Sequence, residues 1–190
     1  MTLPTVLEFS KELLNRSIHA GDIAIDATAG KGNDTLFLAN CVGEAGKVYS
    51  FDVQKQAIDQ TKQLLCDHQL DHRVTLLQQG HEQANNLIPS DERGRLKAVV
   101  FNLGYLPGGN KDITTQTNTT IQAITDFLDM LPNGGLVAVI VYHGHEEGKK
   151  EKDALEMFAN TLPQQNVQVL RYEFVNQVNR PPFLLTFEKR

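Results

Sequence analysis

Two carboxylates and two glycines carry the first chemical signal. In AIDATAGKGNDTLFLA, Ala24–Ala39, an apolar run ends at Asp26, Gly30 and Gly32 follow, and an amphipathic segment leaves. Glycines in a strand-to-helix turn let main chain approach a ligand closely. The turn is no Walker A loop, because Lys31 lies between the glycines and no Gly-Lys-Ser/Thr closes a phosphate-binding run. It meets Gly-x-Gly-x-x-Gly only in part: Thr35 stands where a dinucleotide turn uses its third glycine. Asp26 repels a pyrophosphate and suits an ammonium group, reached directly or through water. Asp52 ends the next strand, about twenty residues beyond the glycines, where a carboxylate accepts hydrogen bonds from ribose hydroxyls. The pair favours a nucleoside with an amino-acid tail, S-adenosylmethionine. Asn33 or Asp34 is expected to cap the following helix, Thr35 less well. His81, in QGHEQ after the third strand, is placed for adenine.

The second signal is VVFNLGYLPGGNK. Asn102 emerges from a strand, and its side-chain carbonyl with the Leu103 main-chain carbonyl can accept hydrogen bonds from a substrate amine. Tyr105 can lie against a planar base. The run resembles the Asn-Pro-Pro-Tyr loop of amino-group methyltransferases, with Leu103 and Gly104 in place of the prolines. Methyl transfer from a sulfonium is an in-line displacement, so the nitrogen needs a free lone pair and alignment. An alkyl ammonium must first lose its proton, helped by desolvation or a base. Tyr142, His143 and His145 leave the next strand at the same edge and are the candidates. The His-x-His-Glu-Glu order lacks the helical His-Glu-x-x-His register, so no metal is expected.

These residues need a frame that gathers strand ends. Apolar strands are expected at 22–27, 47–52, 73–78, 96–104 and 135–144, and helices at 5–16, 33–42, 54–69, 82–88, 120–131 and 146–162. Strands at 166–177 and 181–190 follow, joined by a tight connection too short for a crossover helix and therefore antiparallel. Alternation of this kind gives an α/β fold, a mostly parallel sheet covered on both faces and ending in an antiparallel hairpin. Ligands in such sheets sit at the C-terminal strand ends, where Asp26, Asp52, His81 and Asn102 fall.

The 190 residues suit one domain with an N-terminal helix, and no apolar run reaches membrane-spanning length. Cys41 and Cys66 form no Cys-x-x-Cys pair and no export signal is evident, so a reducing cytoplasm is expected. A net charge of -5 weighs against a large basic surface but not against a local patch. Two clusters are candidates, Arg93–Arg95–Lys97 and Lys149–Lys150–Lys152, the latter followed by Arg171, Arg180, Lys189 and Arg190.

Taken as a set, IDATAGKGNDTLFLA, FDVQKQAI, GHEQ, FNLGYLPGGNK and VYHGHEEGKKE resemble a small bacterial family of class I, Rossmann-like methyltransferases labelled rRNA methylases, and within it the tRNA 5-aminomethyl-2-thiouridine methyltransferases. The resemblance runs from about Ser17 to the C-terminus. It implies a seven-stranded sheet of order 3-2-1-4-5-7-6. It implies S-adenosylmethionine held by Asp26, Thr28, Gly30, Lys31, Gly32, Asn33 and Asp34, by Asp52 and Gln54, by His81 and Glu82, and beside Asn102. Catalysis would fall to Asn102, Tyr105, Tyr142 and His143. It also implies an exocyclic primary amine at the wobble uridine of a tRNA anticodon loop, and a homodimer. Competing readings are methylation of rRNA or of a small-molecule amine, a nucleotide-dependent oxidoreductase, disfavoured by Asp26 and Thr35, and a binding protein without catalysis.

Overall fold

The computed structural model describes residues 2–104, 115–144 and 146–190. Seven strands form one sheet: β1 Ile23–Asp26, β2 Lys47–Phe51, β3 Val74–Leu77, β4 Leu96–Asn102, β5 Leu136–Val141, β6 Val167–Tyr172 and β7 Phe183–Lys189. The spatial order is β3-β2-β1-β4-β5-β7-β6, with β7 antiparallel to β5 and β6 and the other pairs parallel. This is the order the resemblance implied. The helices are α1 Val6–Ser17, α2 Asn33–Val42, α3 Lys55–Asp67, α4 Ala84–Leu87, α5 Thr117–Met130 and α6 Glu146–Thr161.

Period-two alternation divides the apolar strand residues between two core layers. Ile23 and Ile25 of β1, Val99 and Phe101 of β4, and Val137 and Val139 of β5 meet Ile124 and Phe127 of α5 and Leu155 of α6. Their strand neighbours Ala24, Ala98, Val100, Ala138 and Ile140 meet Leu14 of α1, Leu38 and Val42 of α2, and Leu65 of α3. Every residue of β1 and β5 is buried, as strands covered on both faces must be. The start of α1 is set by a capping box, with Thr5 N donating to Glu8 Oε2 at 2.7 Å and Glu8 N to Thr5 Oγ1 at 3.2 Å.

Two expectations are corrected. The link between β6 and β7 spans residues 173–182 and is not a tight turn. Neither Asn33 nor Asp34 caps α2: Gly32 holds the N-cap position with φ 83° and no side-chain cap. Glycine is required there twice over, by the left-handed backbone and because a Cβ would lie 3.0 Å from Thr61 of α3.

Candidate active site

The turn after β1 is stitched between its neighbouring strands. Ala27 N donates to Val100 O of β4 at 2.9 Å, and Ala29 N to Phe51 O of β2 at 2.8 Å. The ends of β1, β2 and β4 are thereby brought to one place, and with them Asp26, Asp52 and Asn102.

Asp52 is half-buried, and its carboxylate is oriented from both sides. Gly30 N donates to Oδ2 at 2.9 Å and Gln54 N to Oδ1 at 2.9 Å. Each oxygen keeps a further lone pair for a ligand hydroxyl. Gln54 acts here through its main chain, as the N-cap of α3.

Asp26 is placed differently from expectation. It is 1% exposed, so direct contact with a ligand ammonium is closed to it. Its Oδ1 accepts from Thr28 N at 3.0 Å and its Oδ2 from Thr35 Oγ1 at 2.6 Å; Thr35 Oγ1 also lies 2.8 Å from Ser50 Oγ. Burial, then the charge of Asp34, push its carboxyl up to about 7, against the opposing hydrogen bonds from Thr35 and Thr28. Asp26, Asp34 and Asp52 thus share one electrostatic neighbourhood, in which both neighbours' charges add to the burial that raises Asp26.

Asn102 ends β4. Its N–H donates to Thr28 Oγ1 at 2.7 Å, and its Nδ2 donates to Asp34 Oδ2 at 3.2 Å. A carboxylate only accepts, so Asp34 decides which way the Asn102 amide faces: NH₂ toward Asp34, carbonyl away from it. Asn102 and Asp34 line a cleft of about 490 Å³ together with Asn33 and Phe37 of α2 and Leu7 and Lys11 of α1. Lys11 Nζ stands 3.7 Å from Asp34 Oδ1 and 5.4 Å from the centre of the Phe37 ring.

Tyr142 follows β5, and burial, then the charge of Asp34, raise its phenol above the ordinary value. It is therefore a neutral hydroxyl near pH 7 and not a phenolate base. His143 packs against Phe183, with ring centres 5.6 Å apart, and lines a separate pocket with Lys149, Lys152, Asp153 and Arg180. Tyr105 and His145 lie outside the described residues.

His81 is 7% exposed and meets the Phe101 ring edge-on at 5.2 Å. Its Nδ1 lies 3.0 Å from Ala27 O, which requires the proton on Nδ1 and leaves Nε2 as an acceptor, buried and unpartnered among the described residues. Burial lowers its pKa, which keeps the ring neutral. Glu82 is half-buried beside it, while Lys31 and Asn33 are exposed on the glycine turn.

Of the basic clusters, the first is structural. Arg93 donates to Asn85 O at 2.6 Å, and Arg95 to Gly21 O at 3.1 Å and Ala45 O at 2.9 Å, at the start of β4 and so at the opposite sheet edge from Asn102.

Glu151 is the residue the sequence reading missed. It is 5% exposed on α6, accepting from Thr115 Oγ1 and Thr120 Oγ1, each at 3.0 Å. Thr115 in turn pairs with Gly104: Gly104 N donates to Thr115 Oγ1 and Thr115 N to Gly104 O, both at 3.2 Å. The buried carboxylate therefore secures the chain two residues beyond Asn102. Its signal was present: Gly148, Glu151 and Leu155 recur at helical spacing on the buried face of a charged helix.

The strand order, the reversed last strand and the carboxylate after β2 together define a Rossmann-like class I methyltransferase fold. Residues 48–188 match the family described as "Putative rRNA methylase", and the chain belongs to that family. It superposes with TM-score 0.96 and 40% identity, over 100% of both chains, on a "putative rRNA-methylase" from Clostridium thermocellum. A "putative methyltransferase" from Streptococcus mutans, solved in complex with SAH, gives TM-score 0.88 and 39% identity over 99% of both chains. A tRNA (mnm5s2U34)-methyltransferase, chloroplastic, of Arabidopsis thaliana is 37% identical over 90% of this chain, which spans 65% of that protein's length.

Proposed function

We propose that the protein methylates the amine of the 5-aminomethyl group on (2-thio)uridine at tRNA wobble position 34, using S-adenosylmethionine and giving 5-methylaminomethyl-(2-thio)uridine. The observation that carries the reading is the Asn102 amide, fixed by Asp34 so that its carbonyl is left to accept an N–H at the edge of the cleft. The named activity of the Arabidopsis relative and the SAH complex of the Streptococcus mutans relative support it.

The residues present fit the cofactor. S-adenosylmethionine supplies, when bound, a methyl group on a cationic sulfur. The half-buried carboxylates Asp34 and Asp52 suit a ligand carrying sulfonium and ammonium charges and repel a pyrophosphate. Asp52 keeps lone pairs for ribose hydroxyls, and α2 opens with no side-chain cap, leaving amide donors for a carboxylate tail. His81 Nε2 offers an acceptor toward an adenine amino group.

On the acceptor side, Asn102 holds one amine N–H and leaves the nitrogen lone pair directed at the methyl group. The surrounding carboxylates favour the protonated amine, so the transfer rate rises with pH until the amine is neutral. The reading includes the tRNA anticodon loop as the RNA contact and a cytoplasmic homodimer as the working form.

The test is incubation of the protein with S-adenosylmethionine and tRNA bearing 5-aminomethyl-2-thiouridine, followed by mass spectrometry of the nucleosides. The expected product is the methylaminomethyl nucleoside at the wobble position. Methylation of rRNA or of a free amine, with the wobble nucleoside unchanged, overturns the proposal.

A further inference from the structure

The pocket beside the cleft is built from distant parts of the chain. Lys149 and Lys152 lie three apart on α6, hence on one face, and Arg180 comes from the 173–182 link. Sheet register brings them together. Val141 at the end of β5 pairs with Phe183 at the start of β7, so His143, two residues beyond β5, lies level with the chain just after Arg180. The result is a pocket of about 290 Å³ lined by three cations, one histidine and one carboxylate, in a chain whose net charge is -5.

The carboxylates around it are committed to neighbouring cations, Glu156 most closely to Arg171 at 2.6 Å. Lys152 Nζ is 3.3 Å from both Asp153 and Glu156, and Lys149 pairs with Glu146. Arg180 is exposed and among the described residues makes neither a hydrogen bond nor an ion pair, though its charge reaches Glu146. Its backbone is left-handed, φ 46°, a conformation that disfavours any side chain and that concentrates at functional positions. At this size the pocket falls just below the usual range for drug-sized ligands and suits a small anion. It also adjoins the cleft. His143 lines it, while the preceding residue, Tyr142, feels the charge of Asp34 in the cleft. Asn102 of the cleft pairs with Ile140 of β5, and His143 follows three residues further along the same chain, so the two sites are neighbours.

We infer that the His143–Lys149–Lys152–Arg180 pocket takes a phosphodiester group of the RNA strand that carries the acceptor amine, next to the acceptor nucleotide. The inference rests on reading the Asn102 cleft as the site of methyl transfer to RNA. The guanidinium of Arg180 presents a planar fork that matches phosphate oxygens, and the lysines add point charges behind it.

Arg180→Gly is the decisive variant, because glycine accepts the left-handed backbone and only the guanidinium is lost. Binding of a tRNA anticodon stem-loop is followed by fluorescence anisotropy over a range of salt concentrations, with Arg180→Lys and the remote Lys62→Ala of α3 alongside. Arg180→Gly is expected to weaken binding about five- to tenfold at low salt and to reduce the log–log salt slope by roughly 0.7, the release of counterions from one phosphate. Arg180→Lys should recover most of the affinity, and Lys62→Ala should match wild type. Wild-type affinity and slope in Arg180→Gly overturn the inference. Saturable binding of inorganic phosphate that disappears in Arg180→Gly, with RNA affinity unchanged, also overturns it and assigns the pocket to a free anion. Methylation is measured in parallel. A wild-type protein that methylates no RNA amine defeats the proposed function, whereas normal methylation with an unaltered salt slope in Arg180→Gly defeats the pocket alone.

Discussion

Asn102→Ala, combined with Asp34→Ala in a double-mutant cycle, separates the acceptor from the residue that aims it. The Asn102 main chain is held by Thr28 Oγ1 at 2.7 Å whatever the side chain, so truncation leaves the end of β4 in place. Asp34 loses one partner but stays solvated, with 16% of its side chain exposed and Lys11 at 3.7 Å. The folding cost should stay below about 1 kcal/mol, roughly 2–4 °C in melting temperature for a chain of this size. Deleting the carbonyl removes one hydrogen bond to the amine in the transition state, and about 1.4 kcal/mol of lost stabilisation is a tenfold slower step. Asp34→Ala acts through orientation. Freeing the amide between two flips of equal energy costs about a factor of two, and the full loss of a charge-assisted bond at its weak end, about 1.5 kcal/mol, costs about tenfold. A rate loss of two- to tenfold follows, and it should vanish in the Asn102→Ala background. Asn102→Asp is a poor probe, because it would set a carboxylate against Asp34 across the present 3.2 Å contact. Single-turnover methylation at saturating cofactor and RNA measures all four proteins. Wild-type rate in Asn102→Ala removes Asn102 as the acceptor, and multiplicative losses in the double variant show that Asp34 acts on its own.

Asp52→Ala should weaken S-adenosylhomocysteine binding in calorimetry by about 2–4 kcal/mol, the worth of one or two hydrogen bonds to a charged group; an unchanged affinity refutes the ribose assignment. Asp26 is held at about 7 against an ordinary 3.8, so the folded protein keeps a proton that the unfolded chain sheds, and stability from this group declines as pH rises from about 4 to about 7. Asp26→Asn can keep the Thr28 bond through its carbonyl and donate to Thr35, and should melt roughly 2–4 °C higher than wild type at pH 8, about 1 kcal/mol, with the gain fading toward pH 5; a constant difference across that range would show that Asp26 carries no raised pKa. Glu151→Gln keeps an acceptor for one threonine only, and should slow methyl transfer severalfold while leaving S-adenosylhomocysteine affinity within about twofold; equal losses in both would mean a general loosening instead of a loss of positioning beyond Asn102.

The sheet was legible because its strands are apolar without alternation and its helices are amphipathic, which fixes layer, direction and strand ends together. The glycine turn, Asp52 and Asn102 were legible for the same reason: each interrupts an apolar run where a parallel sheet opens. What the pattern could not carry was contact between segments. Arg93 and Arg95 read like Lys149 and Lys152, yet the first pair is spent on carbonyls at the far edge while the second lines a pocket beside the cleft. Glu151 was hidden among exposed charges because a carboxylate in a Lys- and Glu-rich helix reads as solvated. Only the packing of α6 on α5 and on the chain just before it, through Thr120 and Thr115, reveals it as buried.

Two features that the sequence presents as separate oddities are one device in the structure. Thr35 reads as a missing third glycine, and Asp26 as a carboxylate waiting at a ligand site. Asp26 is sealed in the core of the sheet edge, and a carboxylate there is tenable only with donors supplied to it. Thr35 is such a donor, at 2.6 Å, relayed to Ser50 of β2 at 2.8 Å, and a glycine at 35 would leave Asp26 with Thr28 N alone. The same carboxylate, through Thr28, fixes the main chain of Asn102 at the mouth of the cleft. The departure from the dinucleotide pattern therefore has a structural cause. A turn that must hold a buried acid and carry that order to the end of β4 needs a hydroxyl where a pyrophosphate-binding turn needs no side chain at all.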